Sequence, residues 1–219
     1  HPDACIEMDM NMIRYRFFLD YAKEEAWLNE MARQGWALTG VNFGYHFRPT
    51  EPQDTVIRID FRAFATQAEF VNYRTLFEDS GWQHIVGTKN TGVQYFRRLS
   101  ADSSEDIFSD ELSRAERYRR SGSLWLSLAV ALMVILVALG ASGAMDLRAL
   151  LEPKRLYFTP GLWDLSGNAF WQAFWFETPF ALFRAVLLYS LPLMLVLYLS
   201  CMLKSNRLYQ QGKKLAPTS

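Results

Sequence analysis

The chain has 219 residues, enough for one or two domains. Its 23 basic and 23 acidic residues cancel, which removes any global electrostatic argument for nucleic acid as a partner. Half the residues are hydrophobic, yet the mean hydropathy is close to zero. The average therefore hides two regimes, a charged and mixed stretch up to about residue 120 and two long apolar runs beyond it.

Residues 1–11 are polar and acidic, with neither the basic n-region nor the apolar h-region of a signal peptide. They are expected to be a disordered or extraneous tail ahead of a translation start at Met8, Met10 or Met12. Cys5 and Cys201 lie far apart in the sequence and read as incidental thiols, not as a disulfide framework.

A soluble domain is expected over residues 12–99, built from an internal repeat. Residues 13–17 alternate apolar and charged side chains, and residues 57–61 do so again 44 positions later. Strict alternation marks a half-buried strand. A helix follows each. Asp20 is a suitable N-cap for the first, with Glu24 and Glu25 near the positive end of its dipole. The second is expected over about 66–80, with Phe70, Tyr73 and Phe77 on one stripe. Both helices stop alike, at Gly35-Trp36 and Gly81-Trp82. A glycine in the left-handed region ends a helix, and the next residue packs back onto it. Two strands follow each stop, over about 36–43 and 45–48 and over about 82–86 and 93–98. The second strand of each pair ends in a Phe-Arg dipeptide, Phe47-Arg48 and Phe96-Arg97. The unit is β-α-β-β, used twice. The fold class is α+β with a ferredoxin-like flavour, in two antiparallel sheets or one continuous sheet with two helices covering a face.

Residues 100–121 are expected to form an acidic linker and then a juxtamembrane helix capped by Ser109 or Asp110, running on into the next segment. Residues 123–145 carry no charge over 23 positions. At about 1.5 Å per residue they match the roughly 30 Å hydrocarbon thickness of a bilayer. Transmembrane helices are expected over 122–145 and 178–203, the second containing Arg184 and Pro192. They form a hairpin around an external loop, 146–177, whose aromatic end, with Trp171 and Trp175, reads as an interfacial belt. Residues 204–219 form a basic tail. Arg114, Arg117, Arg119 and Arg120 precede the first span, and basic residues follow the second. By the positive-inside rule both termini are cytoplasmic, in a multi-pass protein of a bacterial plasma membrane. The four arginines, with Trp171, Trp175 and a snorkelling Arg184, are the expected membrane-interface residues.

No catalytic set is recognisable. His46 and His84 fall in separate repeats without a partner at metal-ligand spacing, so no metal and no cofactor is expected. Carboxylates such as Glu24, Glu25 and Glu30 read as a solvated helix face, not as acid–base catalysts. Trp36, Tyr45, Trp82 and Tyr95 occupy related places in the two repeats and are the candidates for a binding surface, against a core reading for the two tryptophans.

The segments RYRFFLDYAKEEAWLNEMARQGWALTGVNFGYHF, VIRIDFR, LFEDSGWQHI and QYFRR, over about 14–98, together with DIFSDELSRAERYRR, resemble the bacterial domain-of-unknown-function family 2812. The resemblance implies a domain placed before membrane helices and genes neighbouring PadR-type transcriptional regulators. It brings no catalytic residues. The functional expectation is a membrane-anchored regulatory or sensing protein, not an enzyme, whose cytoplasmic domain binds a protein partner, a second copy or a small ligand. The alternative is an accessory subunit of a transporter complex, in which Arg184 pairs with another subunit's acid. A membrane-bound enzyme comes third.

Overall fold

The computed structural model describes residues 11–99 and 106–216. The tail expected at 1–11, apart from Asn11, and the linker up to residue 105 lie outside the described residues. The chain divides into two compact units, one made of His1–Gly122 with Leu203–Ser219 and the other of Ser123–Met202.

The first unit is α+β. Its elements are β1 (Met12–Arg14), α1 (Tyr21–Arg33), β2 (Trp36–Val41), β3 (Tyr45–Pro49), β4 (Ile57–Phe61), α2 (Gln67–Asp79), β5 (Trp82–Val86) and β6 (Val93–Arg98). They form two three-stranded antiparallel sheets, ordered β1-β3-β2 and β4-β6-β5. The first three elements of the two halves follow the same plan. The Asp20 side chain accepts from the Ala22 amide and the Thr66 hydroxyl from the Glu69 amide, so each N-cap removes an orphan donor. Both helices end before a glycine with positive φ, 83° at Gly35 and 81° at Gly81. A register shift interrupts β2 between Leu38 and Gly40, and β5 between His84 and Val86.

These landmarks set the repeat at 46 positions, not 44, from β1 to the bulge. The matching pair to Ile59 and Tyr95 is Ile13 and His46, each directly opposite across its sheet. The Phe47-Arg48 and Phe96-Arg97 equivalence holds, because Leu38 faces Phe47 and His84 faces Phe96. Tyr45 and Tyr95 are not equivalents. Tyr45 corresponds to Gln94, since Arg14 opposes Tyr45 and Asp60 opposes Gln94. The first strand is also shorter than its alternation implies: Tyr15, Arg16 and Phe17 continue beyond β1 without pairing.

The two helices do not cover one common face. Leu28 and Met31 of α1 share a core with Leu38, Tyr45 and Phe47 of the first sheet and with Ile57, Ile59 and Tyr95 of the second. Tyr73 of α2 packs with Trp82 and Phe96, and Phe77 lies against them, so Trp82 packs back toward its own helix end. The second sheet is thus buried on both faces.

Helix α3 runs from Glu111 to Ala141 without a break at Gly122. Asp110 caps it, accepting from the Ser113 amide at 2.6 Å. Its first turns belong to the first unit, with Tyr118 in the core. Residues 203–215 are also helical and return to that unit. Leu208 and Tyr209 pack on the same core, and a Cβ at Gly212 would sit 2.7 Å from Cβ of Ala115. That approach needs a residue without a side chain. As far as Leu215, the basic tail expected after residue 203 is therefore a packed helix.

In the second unit, α3 and α4 form a two-helix hairpin, with Trp125 and Tyr198 in ring contact at 5.8 Å. Helix α4 spans Gly167–Leu215, 49 residues and about 73 Å at 1.5 Å per residue. It absorbs the aromatic end of the expected loop, the second apolar run and most of the tail. Pro179 and Pro192 lie inside it. The Thr178 hydroxyl donates to the Phe174 carbonyl and Ser190 to Leu187, in each case one residue before the carbonyl that the proline leaves without a donor. The connection between the helices holds three single 3-10 turns. Both helices are long and apolar enough to cross a membrane.

Candidate functional site

The unusual chemistry of the first unit is interior. Glu24, Glu25 and Asp60 are buried, and so is Arg117, at 1 % exposure. Consecutive glutamates near the start of α1 point inward because neighbouring elements bring them donors. The Tyr45 hydroxyl donates to Glu24 Oε1 at 2.8 Å and the Tyr95 hydroxyl at 2.6 Å. One carboxylate oxygen thereby joins β3 of the first repeat to β6 of the second. Burial pushes the Glu24 carboxyl above the usual glutamate range, against the two tyrosine hydrogen bonds and the more distant Arg117, which favour its charge.

Glu25 and Asn29, one helical turn apart, face the free edge of β4. Glu25 Oε1 accepts from the Ile59 amide at 2.9 Å and Asn29 Oδ1 from the Ile57 amide at 2.7 Å. Helix α3 completes the edge. Arg117 pairs with Glu25 and donates to the Ile59 carbonyl at 2.6 Å. Arg120 donates to the Phe61 carbonyl and to Asp60 Oδ1, both at 2.5 Å. Asp60 also takes the Tyr73 hydroxyl at 2.8 Å. An edge strand normally exposes such groups as a template for further pairing. Here side chains from two helices occupy them.

The rings of Tyr21, Phe108 and Tyr118 surround the Arg117 guanidinium at 5.2–5.4 Å. Burial opposes its charge, and Glu25 together with Tyr118 and Tyr21 more than offsets that and holds its pKa above the usual arginine value. The Tyr118 hydroxyl donates to Asp20 at 2.9 Å, and burial raises its pKa to about 12. The phenols of this cluster are thus donors, not bases. Chemically the arrangement is a lock. Each acid is committed to a phenol, a guanidinium or a backbone amide.

The residues expected at the membrane interface fall in three different places. Arg117 is enclosed by the first unit, a correction to its reading as a lipid anchor: a buried guanidinium paired with Glu25 has no surface to offer a headgroup. Arg120 lies against β4. Arg114 pairs with Asp106 and Glu111, and the more exposed Arg119 pairs with Glu116 at 2.6 Å. In the second unit Trp171 and Trp175 are exposed on α4, beside a stack in which Tyr157 lies parallel to Phe174 at 5.3 Å. Arg184 meets Glu177 at 2.7 Å, the Leu156 carbonyl at 2.6 Å and the Phe158 ring at 3.9 Å.

Of the candidate binding aromatics, Tyr45 and Tyr95 do meet, but inside, on Glu24. Trp82 is wholly buried under α2, and Trp36 lines a small cavity with Ala32, Leu38, Ile57 and Ile85. They form no common surface. The sequence reading missed the lock. Its signal was the i, i+3 spacing of Arg114, Arg117 and Arg120, which puts three arginines on one helical face while Arg119 lies on another. It also missed a surface groove between β1 and α1, lined by Arg14, Tyr15, Arg16, Trp27 and Glu30 among others. Among the described residues no group of three His, Cys, Asp or Glu side chains is placed to hold a metal ion.

A family model described as Protein of unknown function (DUF2812) matches residues 20–130. The match takes in α1, both sheets from β2 onward, the lock and the first twenty residues of α3. No curated protein and no solved structure matches the chain.

Proposed function

The chain belongs to the DUF2812 family, and on that premise we propose that it is a membrane-anchored regulatory or sensing protein whose folded domain binds a protein partner or a small ligand and reports on the bilayer through α3. The observation that carries this reading is the double membership of α3. One uninterrupted helix supplies Arg117 and Arg120 to the lock and then continues as an apolar segment to Ala141. Only 17 % of that segment's most apolar window is buried, and 11 % of the window in α4, whereas the core helix of a soluble protein is mostly covered. A bilayer is the natural cover. The basic residues flanking both helices favour cytoplasmic termini in a multi-pass plasma-membrane protein.

In this reading a shift of α3 acts directly on the buried Arg117–Glu25 pair and on the part-buried Arg120–Asp60 pair beside it. Removing one partner of a buried pair costs about 3–5 kcal/mol, so the lock favours discrete arrangements over gradual deformation. The transporter-subunit alternative has less support from Arg184, which already has Glu177 as its acid. An enzymatic role is not favoured by acids whose lone pairs are occupied by internal donors.

The test is amide exchange of the full chain in nanodiscs of thin and thick bilayers. Protection at Ile57 and Ile59 should change with thickness in the wild type and respond much less in Arg117→Ala. Identical exchange in both bilayers would remove the sensing role. Crosslinked co-purification from native membranes then identifies the partner.

A further inference from the structure

One end of the first unit carries a surface unlike the rest of it. Ile13, Tyr15 and Phe17 alternate with Arg14 and Arg16, and all five are exposed, Tyr15 by 75 % and Phe17 by 73 %. Phe43, at the tip of the β2–β3 turn, is fully exposed. The tip stands beside this segment, since a Cβ at Gly44 would lie 3.0 Å from Ile13 Cγ2 and 3.1 Å from Tyr15 Cδ1. A turn tip open to water has no packing reason to hold a phenylalanine. The second repeat has Thr88, Lys89, Asn90 and Thr91 in the corresponding turn.

The position of this end is fixed by contacts within the unit. Phe17 is three residues from Asp20, which accepts from Tyr118, and the Ala22 amide also faces the Tyr118 hydroxyl at 3.4 Å. Tyr118 precedes Gly122, and a Cβ at Gly122 would lie 3.4 Å from Ser205. The aromatic–arginine segment therefore lies at the end from which α3 and α4 both leave the unit. Among the described residues the neighbouring acids are occupied: Asp20 by Tyr118 and its cap, Glu24 by two tyrosines, and Glu30, in the adjoining groove, by Arg33. Arg14 and Arg16 are left without an acidic partner among the described residues, although Arg16 lies over the Trp27 ring at 5.1 Å.

We propose that Tyr15, Phe17 and Phe43, with Arg14 and Arg16, form a docking surface for the anionic headgroup layer of the bilayer in which the chain is anchored. This rests on the anchoring proposed above. Exposed aromatic rings favour the boundary between headgroups and acyl chains, and arginines beside them are drawn to anionic lipid. Tethering by two helices keeps that layer at high effective concentration, so a weak patch suffices. Docking gives the lock a second input, the surface charge of the membrane, delivered through the segment that leads into the Asp20 cap of α1.

The full chain, carrying Cys5→Ser and Cys201→Ser, is labelled with a nitroxide at Phe43→Cys, or at Gln53→Cys as a control at the opposite end of α1. It is placed in nanodiscs of phosphatidylcholine, alone or mixed with phosphatidylglycerol. Relaxation by oxygen against a water-soluble nickel reagent reports depth. The Phe43 probe should lie at headgroup depth in the mixed bilayer and nearer water in the zwitterionic one, with the Gln53 probe in water in both. Arg14→Glu with Arg16→Glu should weaken docking by on the order of fivefold per arginine, with the Gln53 probe's mobility unchanged. A Phe43 probe in water in both bilayers, in a chain that resists alkaline extraction, overturns the docking surface and leaves the anchoring intact. Extraction of the chain by alkali overturns the anchoring itself. A probe shielded equally in detergent micelles indicates a protein contact and overturns the lipid assignment.

Discussion

Ile13 and Ile59 hold the same place in the two repeats, yet Ile59 is wholly buried and Ile13 is 46 % exposed. Their cross-strand partners follow them: Tyr95 is buried and bonded to Glu24, while His46 is half-buried. The backbone around them differs little, with the same bulge, the same caps and the same strand order. What differs is what lies on top. The edge of β4 is closed by Glu25, Asn29, Arg117 and Arg120, whereas the segment around β1 presents a groove and a row of aromatic and basic side chains. A duplication thus produces one half that receives the chain's own helices and one half left for other contacts.

The comparison breaks most readily at Arg117. Arg117→Ala leaves Glu25 buried and uncompensated and should cost about 3–5 kcal/mol in thermal or denaturant unfolding of the detergent-solubilised chain. Its counterpart on the open half, Arg14→Ala, should fall within about 0.5 kcal/mol of wild type. A comparable loss at both positions would erase the distinction between the halves.

Gly35→Ala comes next. Its φ of 83° costs a Cβ about 1–2 kcal/mol, and that Cβ would also lie 2.8 Å from the Thr50 carbonyl oxygen, a backbone atom. A melting temperature that does not fall would contradict the closeness of this turn.

The two N-caps sharpen the contrast more finely. Thr66→Ala should cost about 1 kcal/mol. Asp20→Ala should cost more, because Asp20 both caps α1 and accepts from Tyr118 of α3, a contact with no parallel at Thr66. Equal losses would show that Asp20 acts as a cap alone.

Glu24 gives the smallest change at fixed pH. Its pKa is raised in the folded state, so the native chain binds more protons than the unfolded one between the two values. Its contribution is full below the unfolded value and is lost as pH rises through the folded one. Glu24→Gln keeps an acceptor for both tyrosines and should flatten that fall. An unchanged stability–pH profile would contradict the raised value.

Much of this architecture was legible in the sequence. The boundaries of β4, β5 and β6, the Asp20 cap, the two glycine stops and the apolar helices follow from alternation, cap chemistry and length. The repeat offset was legible in the glycine stops, Gly35 and Gly81, which stand 46 positions apart, but not in the strands. A shift of two residues along a strand preserves which side chains face which way, so Ile13 matches Ile57 as well as Ile59 by pattern alone. The caps, the glycine stops and the bulges fix 46. Tyr45 and Tyr95 are a separate case: they stand one position out of step in β3 and β6, and are unrelated positions that meet on Glu24. The lock was hidden for a different reason. Arginines ahead of an apolar run read as a membrane flank, and the acids that claim Arg117 and Arg120 lie 92 and 60 positions away. Nothing local announces a pair of that separation.

The central claim is that α3 is fastened to the domain by a buried charge pair. A double-mutant cycle on Arg117→Met and Glu25→Gln, read as the unfolding free energy of the full chain, tests it most directly. The claim predicts that each single substitution is costly and that the double variant recovers on the order of 2 kcal/mol of the summed loss. Losses that add to within about 0.5 kcal/mol would show two side chains acting independently and would contradict it.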